Sequence, residues 1–159
     1  MGVYISLSGS CLDVKSVIKL IIIGVVAGTV LAESLRLLHV TTGVNGYNLL
    51  FNFDYIPLIG KYSNTAGWTG MSFHYLTCIG SVLVSYYIFK KYGREKDILP
   101  YVGLFFIGSL VLYFLTGLSP EAPAWNDWYA WIGFGSAHLL FGVVVGKLIQ
   151  EIIDEFVFA

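Results

Sequence analysis

The fold is decided by the stretch VIKLIIIGVVAGTVLAESLRLL at residues 17–38, which is almost wholly apolar. No charged residue occurs between Leu20 and Leu31. A helix needs about 20 apolar residues to cross the hydrocarbon core of a bilayer, and this stretch has that length. Glu33 and Arg36 then follow within one helical turn, before the apolar run ends. The stretch therefore predicts a membrane-spanning helix that carries an acid–base pair.

The whole chain has the composition of a membrane protein. Hydrophobic residues make up 57% and charged residues 12% of its 159 residues, and the mean hydropathy is +0.76. Soluble domains are typically about 25% charged. The apolar composition makes the lipid bilayer the predicted partner. The formal net charge of −1 gives no reason to expect a nucleic-acid partner. The two cysteines, Cys11 and Cys78, do not form the pattern of a disulfide framework.

Three further apolar stretches, at residues 68–89, 99–118 and 128–149, are long enough to span. The sequence therefore predicts an all-α polytopic membrane protein, with one integral-membrane domain of four transmembrane helices over residues 1–159. Residues 41–67 include the segment YNLLFNFDYIPLIG, which is too interrupted to span and predicts an interfacial or re-entrant piece packed on the bundle. An alternative interpretation of residues 15–32 is a cleaved signal peptide.

Basic residues predict the orientation of the chain in the plasma (inner) membrane. The turn KKYGREK at residues 90–96 is strongly basic, whereas the loop SPEAPAWNDW at residues 119–128 carries acidic residues and no basic one. The basic turn and both termini are therefore expected in the cytoplasm. Trp68, Trp125 and Trp128 should then lie as anchors at the outer interface, where amphipathic rings favour the headgroup level.

Glu33 and Arg36 stand at positions i and i+3 of the first span and can pair on one helix face. A lone charge in hydrocarbon costs about 2.5–3.5 kcal/mol even on mild insertion scales. We therefore expect the pair to face the bundle interior and to form a polar intramembrane site in the outer half, together with His74 and His138. In the alternative interpretation, Arg36 reaches the headgroups and the pair is only structural.

The two histidines also allow a metal site as an alternative hypothesis. His74 and Cys78 are at positions i and i+4 of one span, a spacing found in helical ligand pairs, and His138 of the last span could be the third ligand. Packing roles explain the same residues more simply, so no cofactor is predicted. The sequence contains no nucleophile motif or phosphate-binding loop, and no enzyme activity is predicted.

Several short motifs resemble one known family. The order WTGMSFH, the basic turn, GLSPEAPAW and GSAHLLFG is similar to the YagU-like family of bacterial inner-membrane proteins. The matching residues are Trp68, Gly70, His74, Gly117, Leu118, Pro120, Pro123, Trp125 and His138. The resemblance implies a polytopic bacterial plasma-membrane protein and supplies no mechanism.

Two classes of function fit these observations. The first is a small channel or proton-linked transporter whose path includes the polar site, because the unperturbed pKa of histidine, about 6.5, lies near physiological pH. Four helices leave little room for a pore, so this class also predicts a homo-oligomer. The alternative is a non-transport sensor or partner-binding subunit in which the polar cluster is structural. The sequence names no ion or solute for either class.

Overall fold

The computed structural model describes residues 4–7, 10–51, 68–115 and 123–153 of the chain. Helices dominate these residues, and a short antiparallel hairpin precedes the first helix. The helices are α1 (Val14–Thr42), α2 (Gly46–Phe51), α3 (Trp68–Lys91), α4 (Ile98–Tyr113) and α5 (Trp128–Ile152). The hairpin strands are β1 (Tyr4–Leu7) and β2 (Ser10–Asp13). The sequence pattern did not predict this hairpin.

Three of the helices, α1, α3 and α5, are long and apolar enough to cross a membrane. The prediction of an all-α membrane protein is confirmed by these helices. The third predicted span is shorter than expected, because α4 has 16 residues and ends at Tyr113 instead of continuing to residue 118. At 1.5 Å per residue α4 is about 24 Å long, against a hydrocarbon core of about 30 Å. Pro100 lies in its first turn, where proline costs no hydrogen bond.

The four long helices pack in the order α3, α1, α5, α4. The closely packed pairs are α4 with α5, α1 with α3, and α1 with α5, whereas α3 and α4 are not such a pair. Neighbouring helices run in opposite directions, so the start of α1 lies beside the end of α5, where the Lys19 ammonium donates to the Ile152 carbonyl at 2.6 Å. Among the described residues, α3 and α4 therefore leave the side of the bundle between them open.

Glycines bring the helix pairs into close contact. A Cβ atom on Gly24 of α1 would lie 2.7 Å from the Ile79 Cα of α3. A Cβ atom on Gly142 of α5 would lie 2.8 Å from the Val102 Cα of α4. Such distances leave no room for a side chain, so these glycines allow backbone-to-backbone approach. Small residues at helix interfaces serve this purpose in membranes generally.

The short helix α2 packs against α1, α3 and α5. Gly46 at its start is buried, and the ring of Phe51 at its end lies 5.5 Å from the His74 ring, centroid to centroid. The predicted piece packed on the bundle is therefore present at residues 46–51. The remainder of that segment, residues 52–67, lies outside the described residues. Helix α2 covers one end of the interior, next to His74.

Candidate functional site

His74 joins α3 to the middle of α1. Its side chain is buried, and its Nε2–H donates to the carbonyl oxygen of Gly28 at 3.0 Å. A Cβ atom on Gly28 would lie 3.2 Å from the Cys78 side chain, so the glycine allows α3 to approach α1 closely here. The Cys78 sulfur lies 3.8 Å from Nδ1 of the same imidazole. Gly28 is the middle residue of α1 (Val14–Thr42), and His74 lies in the half of α3 that begins at Trp68. The placement of His74 in the outer half of the membrane stays a prediction.

His138 enters the interior from α5. Its Nδ1–H donates to the Phe134 carbonyl one turn earlier at 2.9 Å, and its ring lies 4.3 Å from the Phe134 ring. In the neutral imidazole the second nitrogen, Nε2, then carries a lone pair. No described residue hydrogen-bonds this nitrogen, although the side chain is only 8% exposed. His138 thus has an unused hydrogen-bond acceptor inside the bundle.

A cavity of about 330 Å³ lies between α3 and α4 and contacts both histidines. We call it the α3–α4 groove. Its floor is made mostly of buried side chains from α1, α3, α4 and α5, and Leu50 of α2 closes one end. The lining residues are Leu31, Leu50, Phe73, His74, Thr77, Cys78, Ser81, Val84, Ser85, Ile88, Leu104, Phe105, Gly108, Ser109, Leu112, Phe134, His138 and Phe141. The groove is therefore largely apolar, with a few polar groups.

The groove opens sideways, toward the surface that lipid would contact. Val84 and Ile88 of α3 and Leu104 and Leu112 of α4 line it and are exposed. At the opposite end from α2, the rings of Phe89 and Tyr101 meet at 4.8 Å and bring the two helices together beside their connecting turn. The groove is therefore open along its side and closed near that turn.

The hydroxyl groups on the groove wall are hydrogen-bonded to their own helices. Each donates to a backbone carbonyl three or four residues earlier, at 2.7–3.1 Å. The pairs are Thr77 to Phe73, Ser81 to Cys78, Ser85 to Val82 and Ser109 to Phe106. Such bonds satisfy a hydroxyl inside a membrane helix and leave its oxygen lone pairs free to accept.

Glu33 and Arg36 do not belong to this site. They pair with each other at 3.5 Å, but the side chains of Arg36 and Glu33 are 60% and 62% exposed. The expectation that they face the bundle interior beside His74 and His138 is therefore wrong. The interior face of this part of α1 is instead formed by Leu31, Ala32 and Leu35. Their pairing was predicted correctly, since positions i and i+3 share a face.

We expect this exposed pair to contribute little to stability. A double-mutant cycle with Glu33→Gln and Arg36→Gln should give a coupling free energy below about 1 kcal/mol, because exposed pairs are solvated and mobile. The Arg94–Asp97 pair, 2.9 Å apart and 59% and 52% exposed, is a matched reference with the same i, i+3 spacing. Unfolding in detergent measures both cycles. A coupling of about 3 kcal/mol or more for Glu33 and Arg36 would place that pair in a buried environment.

The structure does not assemble the metal site considered as an alternative. His74 and Cys78 are adjacent, and His138 lines the same groove. Within the described ranges, however, no three His, Cys, Asp or Glu side chains are grouped so that they could hold a metal ion. The hypothesis of a metal centre at these residues is not supported.

The three tryptophans predicted to be interface anchors lie at one end of the bundle. Trp68 begins α3, Trp128 begins α5, and Trp125 lies just before α5, on the same side of the molecule as the end of α1. Their exposed fractions are 80%, 59% and 62%, respectively. This placement is what an anchor at a membrane interface requires, and the anchoring itself stays a prediction.

A second groove, of about 730 Å³, lies between α1 and α5 near the same end. Five of its eleven lining residues are exposed, among them Thr42, Tyr129 and Ser136, and only Ala137 is buried. Its carboxylate, Asp127, is already used, since it accepts from the Ala130 backbone N–H and caps α5. This groove is a surface depression, whereas the α3–α4 groove reaches the buried histidines.

Sequence reasoning missed the residues that shape the α3–α4 groove. The spacing of His74 and Cys78 placed the two on one face of α3, and both line the groove together with Ser81 and Ser85. No spacing of residues in the sequence indicated that α2 would close one end of the groove or that α3 and α4 would stand apart. Comparison with protein-family models, curated proteins and solved structures finds no match to the chain.

Proposed function

We propose that the protein is a multi-pass plasma-membrane protein in which α4 is the fourth span and both termini are cytoplasmic. The support is the distribution of basic side chains. Of the nine Lys and Arg residues, all but Arg36 and Lys61 belong to the end of the bundle formed by the start of α1, the α3–α4 turn and the last turns of α5. Basic residues near span ends favour the cytoplasmic side. The resemblance to YagU-like inner-membrane proteins is part of this proposal.

The proposed activity is binding of a small, largely apolar molecule in the α3–α4 groove, as a membrane sensor or regulatory subunit would do. One observation carries it: α3 and α4 stand apart and leave an apolar groove that opens sideways and reaches two buried histidines. Ligand sites are typically concave and apolar, with a few placed polar groups. A molecule dissolved in the bilayer could enter from the side without passing through water.

Transport is the second candidate. Polar groups line α3 from His74 to Ser85, a distance of about 16 Å along the helix axis. A channel or proton-linked carrier, most simply as a homo-oligomer, could use such a stripe. Against this, the Glu33–Arg36 pair lies outside the groove, and Phe89 and Tyr101 close its end. These features favour a binding site over a continuous path.

Filling the groove should abolish binding. Gly108 and Gly103 are matched positions on α4, since a Cβ atom at either has no neighbour within 4 Å, but only Gly108 lines the groove. We expect Gly108→Phe to reduce labelling of groove residues by an alkyne-tagged diazirine derivative of decanol by about tenfold or more, because the apolar contact area of the ligand is lost. Gly103→Phe should label like the original protein. Mass spectrometry of protein in liposomes locates the labelled residues.

Two results would count against the proposal. Labelling spread evenly over the lipid-facing surfaces of all helices would mean that the groove binds nothing. Solute or proton flux through protein-containing liposomes that disappears in Gly108→Phe and persists in Gly103→Phe would favour the transport candidate instead.

A further inference from the structure

We infer that the α3–α4 groove selects a neutral molecule with an apolar body and a hydrogen-bond-donating head, such as an alcohol or a phenol. This inference deepens the proposed binding function and rests on it. It follows from the donors and acceptors that the groove wall presents. Among the described lining residues, each side-chain O–H and N–H group has an acceptor within the protein.

The hydrogen-bond donors on the groove wall donate to backbone carbonyl groups of the protein. The imidazole N–H groups of His74 and His138 donate to the carbonyls of Gly28 and Phe134. The Cys78 sulfur lies 3.8 Å from both ring nitrogens of His74, and its thiol is only a weak donor. The four hydroxyl groups of the wall donate to carbonyls of their own helices. A ligand that needs to accept a hydrogen bond therefore meets no free donor among these side chains.

Acceptors, in contrast, remain available. Nε2 of His138 has a lone pair and no hydrogen-bond partner among the described residues, and its side chain is 92% buried. The hydroxyl oxygens of Ser85 and Ser109 are also buried and can accept while they donate to the backbone. Nε2 is not among the fully buried, unpartnered side-chain atoms of the described residues, and a ligand that donates to it gains a hydrogen bond that a ligand without a donor cannot make.

The charge of the wall sets the charge of the ligand. Among the described residues that line the groove there is no Asp, Glu, Lys or Arg. A cationic donor would find no counter-ion, and an anion would find neither a cation nor a free donor, so both would bear an uncompensated desolvation cost. A neutral hydroxyl avoids this cost. Its apolar body would contact Phe105, Phe141 and Leu104 and extend toward the open side of the groove.

Competition measures this selectivity directly. In liposomes, decanol and decyl methyl ether are compared as competitors of the alkyne-tagged diazirine decanol, with concentrations expressed as mole fraction in the bilayer. The two have the same chain, and only decanol has a donor. Decanol should compete about tenfold more effectively than the ether. A hydrogen bond to a buried group contributes about 1.4 kcal/mol of binding free energy, which corresponds to a tenfold difference in affinity.

The variant His138→Phe tests whether Nε2 of His138 causes the preference for decanol over the ether. His138→Phe keeps an aromatic ring and removes Nε2, so the ratio between the two competitors should fall toward one. His39→Phe is the control, because His39 lies outside the groove and contacts the Val44 carbonyl. Equal competition by alcohol and ether in the original protein would overturn the inference and leave the binding function standing. Failure of both competitors, with unspecific labelling, would instead overturn the binding function. The ratio in the original protein does not depend on whether either variant folds.

Discussion

Replacing Gly142 by leucine should cost about 3 kcal/mol or more of the free energy of unfolding, the largest effect that we expect from one substitution. A Cβ atom at this position would lie 2.8 Å from the Val102 Cα and 2.9 Å from the Tyr101 carbonyl oxygen. Both are backbone atoms, which cannot rotate away as a side chain can. The only way to admit leucine is to move α4 away from α5, and that would weaken the packing along the whole pair.

Gly103→Leu is the control for this prediction. Gly103 is on α4, and a Cβ atom there has no neighbour within 4 Å. Since leucine has a helix propensity better than glycine by somewhat under 1 kcal/mol, we expect no loss of stability. Unfolding by sodium dodecyl sulfate from mild detergent, followed by circular dichroism, measures both variants. If Gly142→Leu unfolds at the same detergent fraction as Gly103→Leu, α4 and α5 do not pack as described.

The long helices could be predicted because their cause is local. Apolar runs bounded by polar residues predicted helices that begin at Trp68 and Trp128, and the structure begins α3 and α5 at those residues. Asp127 gives the second start a physical reason, because its carboxylate caps the first turn of α5. The C-terminal bound of α4 was less predictable, since the apolar run continues beyond Tyr113 and no breaking residue marks the end.

The site could be predicted only in part, because burial depends on the neighbours of a helix face. His74 and Ser85 share a face by their spacing, and the structure places both on the groove. Glu33 and Arg36 also share a face, but that face of α1 is exposed, and spacing alone cannot give its direction. A charge in hydrocarbon is costly, as expected. The face of α1 that carries this pair, however, lies outside the bundle interior.

The separation of α3 and α4 has no local cause in either helix. It follows from the pairing of α3 with α1 and of α4 with α5, which Gly24 and Gly142 make possible. The turn between α3 and α4 joins the two helices at one end, where Phe89 and Tyr101 touch. The apolar faces that remain between them form the groove. Only the combination of all four helices produces this result.

The proposed orientation of the bundle in the membrane predicts the second large effect. In intact spheroplasts, a cysteine in place of Ala124 should react with a membrane-impermeant maleimide at least about tenfold faster than a cysteine in place of Arg94. Both residues are exposed, and they lie at opposite ends of the molecule. The Arg94 end holds Lys90, Lys91 and Lys96, and lysines near span ends favour the cytoplasmic side by roughly 1 kcal/mol each at an anionic surface. A reagent outside the cell should therefore reach only Ala124→Cys.

The measurement uses a background with Cys11→Ser and Cys78→Ala, so that only the introduced thiol reacts. Lysis with mild detergent before labelling is the control, since Arg94→Cys should then react as fast as Ala124→Cys. Fast labelling at position 94 and protection at position 124 in intact spheroplasts would reverse the orientation. Equal labelling at both positions before lysis would contradict the four-span proposal. Only α4 lies between positions 94 and 124, so the two positions are on opposite sides of the membrane only if α4 crosses it. The result thus tests α4 as a span, since α4 is the helix that connects the α3–α4 turn to the loop before α5.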